Sequence, residues 1–151
     1  MEEKELPPHE IYKLVPSTDP ILFKPVPTFD FVNPPVDPIY LANSLIATMN
    51  KHAGLGLSAN QCGLRYRVFV MGTGEDYVAF FNPKLVAQTE EEVLMAEGCL
   101  SFPLLTLKIK RPKEVVVEYQ DFTGEKHTAK FEGLTARCIQ HEFDHMNGVV
   151  F

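Results

Sequence analysis

The stretch from Leu134 to Asn147 constrains the fold more than any other part of this 151-residue sequence. It contains no Pro or Gly and then meets Gly148, so it reads as a helix with a glycine just past its C-terminus. Leu134, Ala136, Cys138, Ile139, Phe143 and Met146 spread apolar side chains around most of its circumference, the pattern of a helix enclosed by the rest of a domain. Yet His141, Glu142 and His145 lie within it, and burying three ionisable groups is costly unless they are paired or bind a metal. The chain must therefore wrap a central helix and supply its charges with partners.

The remaining sequence can do this. A length of 151 residues with 45% hydrophobic and 23% charged side chains suits one compact domain, 1–151. Most of the 12 prolines fall between Pro7 and Pro38, so residues 1–37 read as an extended, Pro-rich wrapping segment. Asp37-Pro38 is an N-cap followed by Pro at the first helical position, and Leu41, Leu45, Ile46 and Met49 continue at helical spacing; the helix is expected to run to Ala53 and stop at Gly54. Val68–Met71, Tyr77–Phe81, Leu105–Ile109, Glu114–Tyr119 and Lys126–Phe131 read as strands, with a hairpin turn at Asp121-Phe122-Thr123-Gly124. The expected class is α+β, with mixed or antiparallel sheets packed around the central helix.

Charge and length exclude several partners. The longest apolar run, Tyr77–Phe81, falls far short of the about 20 residues of a membrane span, so no membrane partner is expected. The acidic start Met1-Glu2-Glu3-Lys4-Glu5 lacks the basic region of an export signal, which predicts a cytoplasmic location. With 14 Lys and Arg against 20 Asp and Glu, the net charge of -6 repels phosphate backbones, and Lys108, Lys110, Arg111 and Lys113 read as a solvated strand edge; no nucleic-acid partner is expected. Cys62, Cys99 and Cys138 are expected as thiols or ligands, since three cannot all pair.

His141-Glu142-Phe143-Asp144-His145 is an H-E-x-x-H pattern. Residues four apart on a helix are rotated by about 400° with about 6 Å of rise, so both imidazoles reach one divalent ion. Glu142, one step round, can take a proton from water there. Asp144 reads as a supporting or surface residue. A catalytic site of this kind uses three protein ligands. Met146 to Phe151 offer no His, Cys or carboxylate, so the third ligand is expected upstream. Cys62, Cys99, Cys138, His127 and several carboxylates qualify. Cys138, one turn before His141, competes with Cys99, whose neighbours Gly98 and Ser101-Phe102-Pro103 favour close backbone approach.

Gly54-Leu55-Gly56-Leu57-Ser58-Ala59-Asn60-Gln61, then Glu97-Gly98-Cys99-Leu100-Ser101, then Gln140-His141-Glu142-Phe143-Asp144-His145 resemble, in this order, the three signature motifs of the peptide deformylases. The stretch from Val15 to Val26 is similar to that family's start. The resemblance implies a metal-dependent hydrolase that removes the N-formyl group from the N-terminal formyl-methionine of newly made polypeptides and releases formate. It implies metal ligands Cys99, His141 and His145, with Fe(II) in the cell and Zn, Ni or Co as alternatives. It makes Glu142 the general base and assigns the oxyanion to the Gln61 side chain and the Leu100 backbone N–H. It lines a methionine slot with Leu55, Glu97, Gly98, Leu134, Cys138 and His141, with Gly56 along the substrate backbone. Arg137 is expected to face away from the slot and pair with an acidic group.

The sequence departs from the family at Ser58, where Ala is usual and little effect is expected, and at Cys62, read as a core filler in place of a larger apolar residue. Typical bacterial members continue past the equivalent of Phe151 into a helix that contributes to ribosome docking; this sequence resembles the short, phage-encoded members, so docking is a weaker expectation. A monomer acting on formylmethionyl nascent peptides in a bacterial or phage-infected cell is expected, a plastid less so. Two competing readings are an H-E-x-x-H endopeptidase and a non-catalytic module in which Cys99, Cys138, His141 and His145 close a tetrahedral metal site.

Overall fold

The computed structural model describes residues 8–72 and 76–150. The acidic start, Pro7 and Phe151 lie outside them. Two helices form where the sequence places them. Helix α1 spans Pro38–Lys51, and the Asp37 carboxylate accepts from the Ile39 N–H at 2.9 Å. Asp37→Ala is expected to cost about 1 kcal/mol in urea unfolding, because it removes one partner of the helix's first N–H groups.

The end of α1 differs from expectation. Ala53, not Gly54, takes the left-handed conformation, at φ 53°, while the N–H groups of Ala53 and Gly54 return to the carbonyls of Asn50 and Met49. Gly54 lets Leu100 pack closely: a Cβ there would stand 2.7 Å from Leu100 Cδ1 and push that side chain aside. Helix α2 spans Gly133–Met146, and Gly148 follows at φ 81°.

Strands β1 (Gly56–Ser58), β2 (Val68–Gly72), β3 (Tyr77–Gln88), β6 (Glu114–Gln120) and β7 (Lys126–Glu132) form one antiparallel sheet in the order β1-β2-β3-β6-β7. Strands β4 (Glu92–Cys99) and β5 (Phe102–Pro112) form a separate antiparallel hairpin. Every strand pairing among the described residues is antiparallel, which narrows the expected mixed sheet.

Strand β2 explains where the core lies. Val68, Phe69, Val70 and Met71 are all buried because side chains alternate across a sheet that is covered on both faces. Val68 and Val70 join Leu41, Leu45 and Met49 of α1, whereas Phe69 and Met71 join Ala136, Ile139 and Met146 of α2. Phe80 and Phe81 on β3 divide the same way. At Asn82 the strand takes a left-handed residue (φ 52°), and the amide of Asn82 bonds both the N–H and the carbonyl of Phe29.

The N-terminal segment wraps this body. Glu10 and Tyr12 donate their N–H groups to Ser44 and Thr48 on α1, Val15 donates to the Gln61 carbonyl, and Pro25 bridges to Asn147. Among the described residues no helix is long and apolar enough to cross a membrane.

Candidate functional site

Two pieces of chain converge on one face of α2. The helix presents His141 and His145 four residues apart, with their Nε2 atoms 3.1 Å from each other. The end of β4 presents Cys99, whose Sγ lies 3.2 Å from His145 Nε2. All three residues are buried, and their donor atoms lie within 4.8 Å of one another. Bonds of about 2.3 Å to sulfur and 2.0–2.1 Å to nitrogen in a tetrahedral site require donor separations of about 3.3–3.6 Å, and the His145 distances to His141 and to Cys99 lie within a few tenths of an ångström of these.

Cys138 and His127 are not among these converging atoms. Cys138 lines the adjoining cleft, and burial first, then the Glu142 charge, pushes its thiol pKa upward. His127 instead pairs with Asp121 at 2.7 Å on the β6–β7 turn. The four-ligand site that includes Cys138 is therefore not what these residues build. Cys62 is half-buried against the α1 core, its thiol pushed up to about 12 by burial, in keeping with a core filler.

The surroundings prepare the donors for a cation. His141 Nδ1 lies 3.0 Å from the Glu97 carboxylate, which orients the ring and leaves Nε2 facing the other donors. Burial, then the neighbouring His141, pushes His145 down to about 3, so its imidazole is neutral. Burial works against ionisation of Glu97, but bonds from His141, Arg111 and Arg137 outweigh it and hold the carboxyl at about 2.

Glu142 is 3% exposed, and burial pushes its carboxyl up to about 7. Its Oε2 has no hydrogen-bond partner among the described residues. An orphaned buried oxygen beside three convergent lone-pair donors is what a site for an ion and its water provides.

A cleft of about 480 Å³ opens onto this centre. Leu55, Gly56, Glu97, Gly98, Leu134 and Cys138 all line it, together with Cys99, Leu100, His141 and Glu142. Leu55 and Leu134 are 64% and 57% exposed at its mouth, so Leu134 is not a core residue. Gly56 is fixed by space: a Cβ there would meet Cys138 Sγ at 2.9 Å and Glu142 Oε1 at 3.2 Å. Gly56→Ala is expected to lower kcat/KM about tenfold, read in steady-state assays, by displacing the carboxylate.

Gln61 sits deeper. Its Oε1 accepts from the Ser58 N–H at 3.0 Å, and its Nε2 points to Ser101 Oγ at 3.0 Å and Cys99 Sγ at 3.7 Å. Ser58 does more than expected: its hydroxyl donates to the Glu142 carbonyl at 3.3 Å, tying β1 to α2.

Two arginines correct the sequence reading. Arg111 is not a solvated edge residue; it is 7% exposed, chelates Glu97 through Nε at 2.5 Å and Nη2 at 2.9 Å, and reaches Asp144 at 2.8 Å. Alternation of Ile109 and Arg111 with Lys108 and Lys110 carried the signal, since the two lysines take the opposite, exposed face. Arg137 has the expected acidic partner, Glu97, but is 5% exposed and lines the cleft instead of facing away from it.

Comparisons with known proteins show the family. The sequence matches the family described as Polypeptide deformylase over residues 11–151. The peptide deformylase of Rhizobium meliloti (strain 1021) is 38% identical over 142 residues, 87% of this chain and 82% of the relative. The crystal structure of peptide deformylase from Thermotoga maritima superposes with a TM-score of 0.84 at 39% identity, covering 94% of this chain and 95% of that one. A Met-Ala-Ser-bound class I type b peptide deformylase from Acinetobacter baumannii superposes with a TM-score of 0.88 at 28% identity, covering 93% and 96%.

Proposed function

The chain belongs to the polypeptide deformylase family, a metal-dependent hydrolase that removes the N-formyl group from newly made polypeptides, and on that premise we propose which residues do the work. Cys99, His141 and His145 hold the metal, Glu142 is the general base, and Gln61 with the Leu100 N–H receives the oxyanion. The observation that carries this reading is the convergence of three buried donors beside the unpartnered Glu142 Oε2.

When bound, a divalent ion there supplies Lewis acidity and makes water acidic near neutral pH. The residues of the chain do the rest. Leu55, Gly98, Leu134 and Cys138 enclose the methionine side chain, with Glu97 and His141 at the inner end of the slot. Gly56 lets the peptide backbone approach. Water attacks the formyl carbon as Glu142 takes its proton. The Gln61 amide, pinned through Oε1 by the Ser58 N–H, holds Nε2 toward the oxygen that becomes negative. Such a donor contributes about 2.7–4 kcal/mol to the transition state. The C–N bond then breaks, Glu142 gives the proton to the leaving amine, and formate departs.

The chemistry of one thiolate with two imidazoles accepts several divalent metals, and we assign Fe(II) in the cell, with Zn, Ni or Co able to replace it. The same reading makes residues 1–151 one catalytic domain, monomeric, acting on formylmethionyl nascent peptides in a bacterial-type cytoplasm. The Met-Ala-Ser bound to the Acinetobacter neighbour supports a short methionyl peptide as the cleft's occupant.

Metal content tests the ligand set. Wild-type protein is expected to bind one ion per chain, Cys138→Ser to retain it, and Cys99→Ser to lose it by elemental analysis after desalting. Loss from Cys138→Ser with retention in Cys99→Ser would overturn the assignment.

A further inference from the structure

We propose that Arg137 is a positioning residue that clamps the β4–β5 hairpin to α2 and so sets the separation between Cys99 and the His141–His145 pair. The inference rests on the reading that these three residues hold the metal.

The three donors come from two independently built pieces. Both histidines belong to α2, whereas Cys99 ends β4, and the β4–β5 hairpin shares no strand pairing with the five-stranded sheet among the described residues. Backbone bonds from Thr89 to the Glu114 carbonyl and from Lys113 to the Glu91 carbonyl tie only the base of the hairpin, so beyond it side chains hold the hairpin against the helix. Arg137 reaches both strands from α2: it donates to the Val93 carbonyl on β4 and, at 3.0 Å, to the Ile109 carbonyl on β5. It also donates to Glu97 Oε2 at 2.5 Å, the carboxylate that orients His141. Arg111–Asp144 and Gln140 to the Pro112 carbonyl add single links at β5, but neither of them touches β4 by a backbone bond.

Spacing makes the clamp direct. Arg137, His141 and His145 recur every four residues, so they form one stripe along a rigid helix. A shift of the hairpin at Arg137 therefore appears as a shift of Cys99 relative to the histidines. The chemistry selects arginine. A planar guanidinium presents five donors in a fixed fork and can hold one carboxylate and two carbonyls at once, whereas an ammonium is a point charge on a flexible stem. The Glu97 charge neutralises Arg137 at the cleft wall, so the side chain serves as a brace and offers no free cation to an anionic substrate.

The test measures metal loss. Protein is loaded with Co(II), and release to excess chelator is followed at 15 °C through the thiolate-to-cobalt charge-transfer band of the Cys99 ligand. Wild type, Arg137→Met, Arg137→Lys and Asn82→Ala are compared; Asn82 braces Phe29 far from the cleft, so its variant lowers stability without touching the hairpin. The expected result is about tenfold faster release in Arg137→Met, within the range lost with partners that orient metal ligands, and an intermediate rate in Arg137→Lys. Asn82→Ala should release at the wild-type rate despite a lower Tm. A folded Arg137→Met protein that releases Co(II) at the wild-type rate, or no faster than Asn82→Ala, overturns the inference. If Arg137→Met does not fold, Arg137→Lys decides by the same comparison. Wild-type protein that binds no Co(II) would instead overturn the metal reading beneath it.

Discussion

Glu142→Ala is expected to lose between about 10²- and 10⁴-fold in kcat on formyl-Met-Ala-Ser while keeping one metal ion per chain. The reason lies in where the side chain stands. His141 and His145 form the stripe of α2 proposed to hold the metal, and Glu142 is rotated one step from it, on the wall of the cleft. Its Oε2 has no partner among the described residues, and Ser58 is the one side chain that hydrogen-bonds the carboxyl, so removing it strands little. Burial of a half-satisfied carboxyl costs stability, which offsets the lost Ser58 contact, and the variant should therefore unfold at a Tm close to that of wild type. Activity and metal content measured on one preparation check both halves. Turnover close to wild type would remove Glu142 from the base role.

The second large effect is on stability. Glu97→Ala is expected to destabilise the protein by about 3–5 kcal/mol in urea unfolding, because two buried arginines lose their shared carboxylate. Arg111 and Arg137 are 7% and 5% exposed, and both bond Glu97. Asp144, at 2.8 Å from Arg111, compensates one of them in part. Arg137 retains only carbonyls. Replacing Glu97, Arg111 and Arg137 together by methionine should recover most of the loss, since the desolvation cost of all three charges then disappears. A loss below about 1 kcal/mol in Glu97→Ala would show that water reaches the cluster and screens it.

The parts of this account legible in the sequence are those in which local pattern and tertiary need coincide. Asp37-Pro38 starts α1 with the cap that its side chain can make. H-E-x-x-H on a Gly-free and Pro-free stretch places two imidazoles together because the helix pitch leaves no alternative. Strands β2, β6 and β7 follow the expected ranges within a residue or two.

What the sequence hid was decided by contacts between distant segments. Strand β4 begins in the acidic run at Glu92, whose composition argues against a strand; pairing with Lys110 and Pro112 across the hairpin overrides that preference. Strand β1 is three residues long and owes its form to pairing with β2. The choice of Cys99 over Cys138 could not be made by spacing, since both stand within reach of His141 on paper. The fold brings the end of β4, with Cys99, to the two histidines and leaves Cys138 on the cleft wall, which is why Cys99 is the proposed ligand. The sequence hides the burial of Arg111 and the hydrogen bond of Ser58 for the same reason. Each looks like a surface or neutral position until the segment opposite it, α2 in both cases, is in place.

The central claim is that these residues form a working deformylase centre, and formate release tests it most directly. Protein purified without oxygen and loaded with Fe(II) is mixed with formyl-Met-Ala-Ser, with unformylated Met-Ala-Ser as the blank. The account predicts catalytic release of one formate per formyl peptide consumed, abolished by chelation and restored by Fe(II). No release from protein that carries one bound metal per chain would contradict it.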